Sequence, residues 1–185
     1  MRKVAWLSVL LGGCVIGGGE RSWVFDGATG LRVELASGSI LVGPSMDDQL
    51  RLAFDGGGVG QPAHPDAVQA SDGFVSLLAS DGLGGGDVDA RVPGGIPIEA
   101  FLDQGDITVE LAEPADVVLC VAAGSVTLVV PPGRYDLDLD IGAGSISQGV
   151  VDDPSAPYRL SVCAGAGDLS VSTGVVESTS TADGG

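Results

Sequence analysis

A glycine followed by Ser or Asp recurs along this chain at nearly even intervals. Taking that glycine as a marker gives Gly38, Gly57, Gly82, Gly105, Gly124, Gly144 and Gly167, separated by 19 to 25 residues. Two markers depart from the pattern: Gly57 is followed by Gly58, and the turn at Gly82 carries the extra residues "LGGG" before Asp87. A period near 20 residues is the mark of a stacked repeat architecture, in which each unit buries its apolar face only against its neighbours.

The flanks of the marker say what the unit is. Seven, five and three residues before it stand Leu31, Val33, Leu35; Leu50, Leu52, Phe54; Val75, Leu77, Ala79; Ile98, Ala100, Leu102; Val117, Leu119, Val121; Leu137, Leu139, Ile141; and Leu160, Val162, Ala164. Every one is apolar, and alternation with period two places each set on one face of a β-strand. After the marker the alternation resumes, as in Ile107, Val109, Leu111 and Val126, Leu128, Val130; in the inserted repeat Val88, Ala90 and Val92 serve, counted from Gly86. Glycine tolerates the positive φ of a sharp bend, and the Ser or Asp after it can bond nearby backbone groups. The links "PGGIP", "AEPAD" and "PPGRY" keep Pro out of the strands. The sequence therefore predicts an all-β fold, a short β-solenoid of about seven two-strand repeats. At roughly 4.8 Å per layer it would be about 30 Å long. A meander of stacked β-hairpins satisfies the same alternation, because a four-residue turn would also bring residues three before and two after the marker onto one face.

The first residues speak to compartment. "MRKVAWLSVLLGGC" has a basic start at Arg2 and Lys3, an apolar run from Val4 to Leu11, and small residues before Cys14. The run is shorter than the ~20 residues of a membrane span and has the size of a secretory signal. Leu11-Gly12-Gly13-Cys14 resembles a bacterial lipobox, where the leader is cut before the Cys and its thiol carries lipid, palmitate among the acyl chains. The expected organisation is a lipoprotein signal peptide at 1–13, a lipidated Cys14 and linker at 14–22, a strand-repeat domain at 23–174 and a disordered tail at 175–185. Cleavage would leave 172 of the 185 residues and, by removing Arg2 and Lys3, move the formal charge from −17 to −19. So acidic a surface repels nucleic-acid phosphates and anionic headgroups, so membrane attachment would come from lipid on Cys14. Val15 follows that Cys where an Asp would signal inner-membrane retention, which points to the outer membrane.

Residues 31–173 resemble the bacterial adhesin-like strand-repeat domain also called Toastrack. The resemblance rests on the serial turns "SGSI", "QGDI", "AGSV", "AGSI" and "AGDL", on "RVPGGIPIEA" (Arg91 to Ala100) and on "VVPPGRYDLDLDIGAGSI" (Val129 to Ile146). It implies an all-β fold and a cell-envelope location. It supplies no catalytic residues.

The chemistry-bearing residues are few. The single His, His64, lies in a Pro-flanked loop, which gives a His-dependent triad little to stand on. No Gly-rich stretch has a phosphate-binding pattern with its Lys. Asp136, Asp138 and Asp140 alternate, so their carboxylates point outward from one strand; a solvated face, weak calcium binding, a contact face and catalysis are the uses open to them. Calcium needs six or more oxygens converging at about 2.3–2.6 Å, whereas side chains two apart on a strand are separated by roughly 7 Å. Leu78, Phe101 and Val118, with Cys120, occupy outward positions in three consecutive repeats and form a candidate apolar contact strip.

Cys120 and Cys163 remain as an even pair for an oxidising compartment. Both lie four residues before a marker, with Asp140 in the repeat between. Stacked in chain order they would be two layers and about 9.6 Å apart, beyond the ~7 Å reach of a disulfide. A bond would favour hairpins or a distorted stack. The functional expectation is a non-catalytic cell-envelope lipoprotein, a structural or adhesin-like module with no cofactor, anchored through Cys14 and meeting an envelope protein or glycan. The alternative is a polysaccharide-acting β-helix enzyme using the acidic strand.

Overall fold

A computed structural model describes residues 20–56, 66–79 and 85–174. They form eleven strands and no helix: β1 (Glu20–Asp26), β2 (Gly30–Pro44), β3 (Gln49–Asp55), β4 (Asp66–Gln69), β5 (Phe74–Ala79), β6 (Gly86–Val92), β7 (Ile98–Glu110), β8 (Val117–Ala123), β9 (Val126–Val130), β10 (Tyr135–Gln148) and β11 (Tyr158–Thr173). All eleven join one mixed sheet. The first strand begins inside the stretch expected to be linker. The leader, Cys14, His64, the markers Gly57 and Gly82, and the tail lie outside the described residues.

The body is a stack of parallel layers in the order β5 with β6, β2, β7, β8 with β9, β11, β10. At one end it is capped by antiparallel strands, β3 and then β1 on β6, and β4 on β5. At the other end β10 pairs along its length with β11, and among the described residues its other edge meets only a short bridge between Tyr135 and Asp152.

Each long strand is folded into two arms at its marker. In β7 the buried residues are Ile98, Ala100 and Leu102, then Ile107 and Val109. Leu102 and Ile107 are five apart, an odd number, so a straight strand would put them on opposite faces. Gly105, at φ +128°, turns the chain so that both arms face inward. The core fills the angle between the arms in rows that run across the layers, such as Val75, Leu31, Ile98, Val117, Leu160 and Leu137.

The corner glycines form a row of their own. A Cβ on Gly124 would lie 1.7 Å from the carbonyl oxygen of Gly105, and one on Gly105 would lie 1.8 Å from that of Gly38. Each glycine thus presses its bare α-carbon on the backbone of the next layer. In the inserted repeat it is Gly86 that aligns with Gly38.

A seven-repeat solenoid stacked in chain order is not what forms. The first repeat, β2, lies between β6 and β7; the last, β11, lies between β8 with β9 and β10; and the second, β3, runs antiparallel in the cap. The hairpin meander does not form either, because the two arms flanking a corner continue in one direction and pair with other layers. The residue after each corner tracks the observed order. Across the stack it reads Asp87, Ser39, Asp106, Ser125, Asp168, Ser145, and each Asp bonds the Ser of the following layer. The Ser39, Ser125 and Ser145 amides donate to Asp87, Asp106 and Asp168 at 3.0, 2.9 and 3.2 Å. Chain order would instead set Asp87 beside Asp106.

Candidate interaction surface

The first arms present two outward rows. Across the layers one reads Leu78, Glu34, Phe101, Cys120, Cys163, Asp140, and the other Ser76, Arg32, Glu99, Val118, Ser161, Asp138. The apolar strip expected from Leu78, Phe101 and Val118 is therefore broken. Because β2 is inserted between β5 and β7, Glu34 separates Leu78 from Phe101. Arg32 stands 5.0 Å above the Phe101 ring and pairs with Glu34 at 3.3 Å and Glu99 at 3.4 Å, covering the aromatic face with a guanidinium. Leu78 stays half exposed, with β4 on its other side.

The cysteines are brought together. Cys163 is directly opposite Cys120 in the β11–β8 pair, their Cα atoms are 4.6 Å apart, and the sulfurs are bonded. The expected separation assumed Asp140 in the layer between; β10 instead lies beyond β11. The bond thus forms between parallel strands of the stack, not across a hairpin.

Asp136, Asp138 and Asp140 all fall on β10, the last strand. Asp138 accepts from Arg159 of β11 at 2.8 Å, and Arg159 donates its own amide to Asp116. Among the described residues no group of three His, Cys, Asp or Glu side chains gathers as a metal site would require. A shallow depression of about 430 Å³ crosses the outer side of the corner, lined by Leu102, Asp103, Cys120, Asp140, Gly142 and Cys163 among others. Asp103 went unnoticed in the sequence; its position two before a marker, where the equivalent residues are Ala122, Gly142 and Gly165, is the signal that could have found it.

The links around β10 are tied to each other. Arg134, in the link entering the strand, donates to Asp153, in the link leaving it, at 2.5 Å. That guanidinium, with Ser155 next, holds the Asp153 carboxyl well below the usual carboxylate range, while Asp153 raises Arg134 in turn. Tyr135 closes the core beneath, its hydroxyl donating to the Pro131 carbonyl at 2.8 Å. Burial, then the neighbouring Tyr158, pushes that hydroxyl's pKa up.

These features define an all-β protein built on one mixed sheet of stacked, cornered strands. A solved structure similar in fold is that of a "putative cell adhesion protein" from Clostridium sporogenes ATCC 15579, with a TM-score of 0.54 at 11% identity, covering 84% of this chain and 99% of that one. At that identity the likeness is one of fold. No protein-family model matches the sequence, so the Toastrack resemblance of the turn motifs has no support there. No curated protein is similar to it in sequence.

Proposed function

We propose that this chain is a non-catalytic cell-envelope lipoprotein, exported by its leader, anchored through lipid on Cys14, and serving as an adhesin-like binding module whose rungs are solenoid-like repeats stacked out of chain order. The observation that carries the reading is the Cys120–Cys163 bond. Disulfides persist in oxidising compartments, where a chain with an LGGC leader would arrive. The likeness in fold to a protein described as adhesive supports the binding role. Against the alternative of a polysaccharide-acting enzyme, Asp138 is paired with Arg159, and the three acids stand in line along one strand.

Intact-mass spectrometry of the native protein from its membrane fraction tests the anchor. The expected mass lacks residues 1–13 and carries acyl chains and one disulfide, and Cys14→Ala releases the protein from the membrane. An unlipidated chain in the soluble fraction would overturn the anchor. Glycan cleavage abolished by D136N/D138N/D140N would overturn the binding-module reading in favour of the enzyme.

A further inference from the structure

We propose that the outer edge of β10 docks an extended strand of a partner protein in which apolar residues alternate with basic ones. Twenty-one apolar residues precede the markers, and eighteen of them are buried; the other three, Leu137, Leu139 and Ile141, are all on β10. Their partners one layer inward, Leu160, Val162 and Ala164, are 0, 0 and 3% exposed. In the second arm Ile146 is 43% exposed where Leu169 beside it is 1%. The rows of the core thus reach β10 with one layer still to be covered.

The backbone is open along the same line. At the start of β10 the returning link occupies the outer edge: Asp153 donates its amide to the Tyr135 carbonyl, and the Leu137 amide donates to the Asp152 carboxylate. Backbone groups two residues apart point to the same side of a strand. The amides of Leu139 and Ile141 therefore face that edge as well, and beyond Leu137 no described strand pairs with it.

Charge selects the occupant. Asp136, Asp138 and Asp140 alternate with the open apolar residues, so an added strand lays its outward side chains beside carboxylates. A second copy paired antiparallel about Leu139 would set Asp138 against Asp140 twice over, on a chain of net charge −17, and like charges directly opposite are destabilising. Sheet edges are commonly guarded against self-association by such charges. A basic residue reverses the sign, and the protein already uses that solution on the inner side, where Arg159 of β11 reaches Asp138 at 2.8 Å. Strand addition then supplies main-chain bonds, with specificity from every second side chain.

The proposal rests on the binding-module reading but needs neither lipid nor membrane, so it can fail while the anchor stands. Its test is fluorescence anisotropy with the full chain in mild detergent and three capped nine-residue peptides. One alternates Val and Lys, one alternates Val and Glu, and one has the Val/Lys composition with its lysines in a single block. The alternating Val/Lys peptide is expected to bind at roughly 10–100 μM, as a small transient contact does. The other two should bind at least tenfold more weakly. Leu139→Pro, which removes an outward amide, should weaken binding tenfold with cooperative unfolding retained. D136K/D140K should reverse the preference toward the Val/Glu peptide, a readout that holds even if the proline variant does not fold. Equal affinity for the alternating and blocked Val/Lys peptides would reduce the effect to charge attraction and overturn the proposal. So would an unreversed preference in D136K/D140K, or a dimer of the free chain by sedimentation that Leu139→Pro abolishes.

Discussion

Cys120 and Cys163 face each other on adjacent parallel strands with their Cα atoms 4.6 Å apart, although 43 residues separate them in the chain. The bond closes a loop that contains all of β9 and β10, and it fixes β11 against β8 with β10 displaced outward. By the chain-entropy estimate, a loop of that length contributes about 4 kcal/mol. Cys120→Ser/Cys163→Ser should therefore lower unfolding stability by about 2–4 kcal/mol in a urea titration. The wild type in reductant should show the same loss, and an unchanged midpoint would mean that the layer order needs no cross-link.

The glycine row makes the corner intolerant of any side chain. Gly124 sits at φ +143°, and its Cβ would fall 1.7 Å from the Gly105 carbonyl oxygen, a backbone atom that cannot rotate away. Gly124→Ala is expected to cost about 3 kcal/mol or more, through strain and the separation of two layers. Gly27 also has positive φ but has nothing within 4 Å of such a Cβ. Gly27→Ala should cost only about 1 kcal/mol, so the gap between the two thermal melts reports the close approach at Gly124 together with its less tolerated φ.

Alternation of Asp and Ser beyond the corner can be tested by breaking it. Ser125→Asp would place three carboxylates side by side, at 106, 125 and 168, and should destabilise by about 1 kcal/mol. Because the row is exposed, added salt should recover much of the loss. Asp106→Ser in the same chain should reduce it as well. A salt-independent deficit in thermal unfolding would point to packing instead.

The links of β10 should contribute to acid sensitivity. The Asp153 carboxyl is held below its ordinary value of 3.8 by Arg134 and Ser155. A depressed folded-state pKa stabilises above the unfolded-state value and is lost as pH falls through the folded-state one. Asp153→Asn should therefore melt earlier than wild type at pH 6, and the gap should shrink from about pH 4 downward as the wild type protonates. A gap unchanged between pH 6 and pH 2 would contradict this assignment.

The sequence by itself determined which residues face the core and where the long strands bend, because both are local matters. Period-two alternation assigns a face to every side chain in a strand, and the residues it assigned inward are the ones found buried, except on β10. The marker glycine fixes the corner through its own φ. Layer order was not legible in the same way. Any apolar row fits any other when each is built from Val, Leu, Ile and Ala, so the first arms of β8 and β10 would serve equally well as the neighbour of β11 or β7. Tertiary structure decided among them through contacts that exist only after stacking: Asp87 with Ser39, Asp106 with Ser125, Asp168 with Ser145, the Cys120–Cys163 bond, and Arg134 with Asp153. The candidate site followed from that choice. Asp136, Asp138 and Asp140 were visible as an alternating acidic set, but only the insertion of β11 made theirs the outermost strand of the stack, with no described strand on its second edge beyond Leu137.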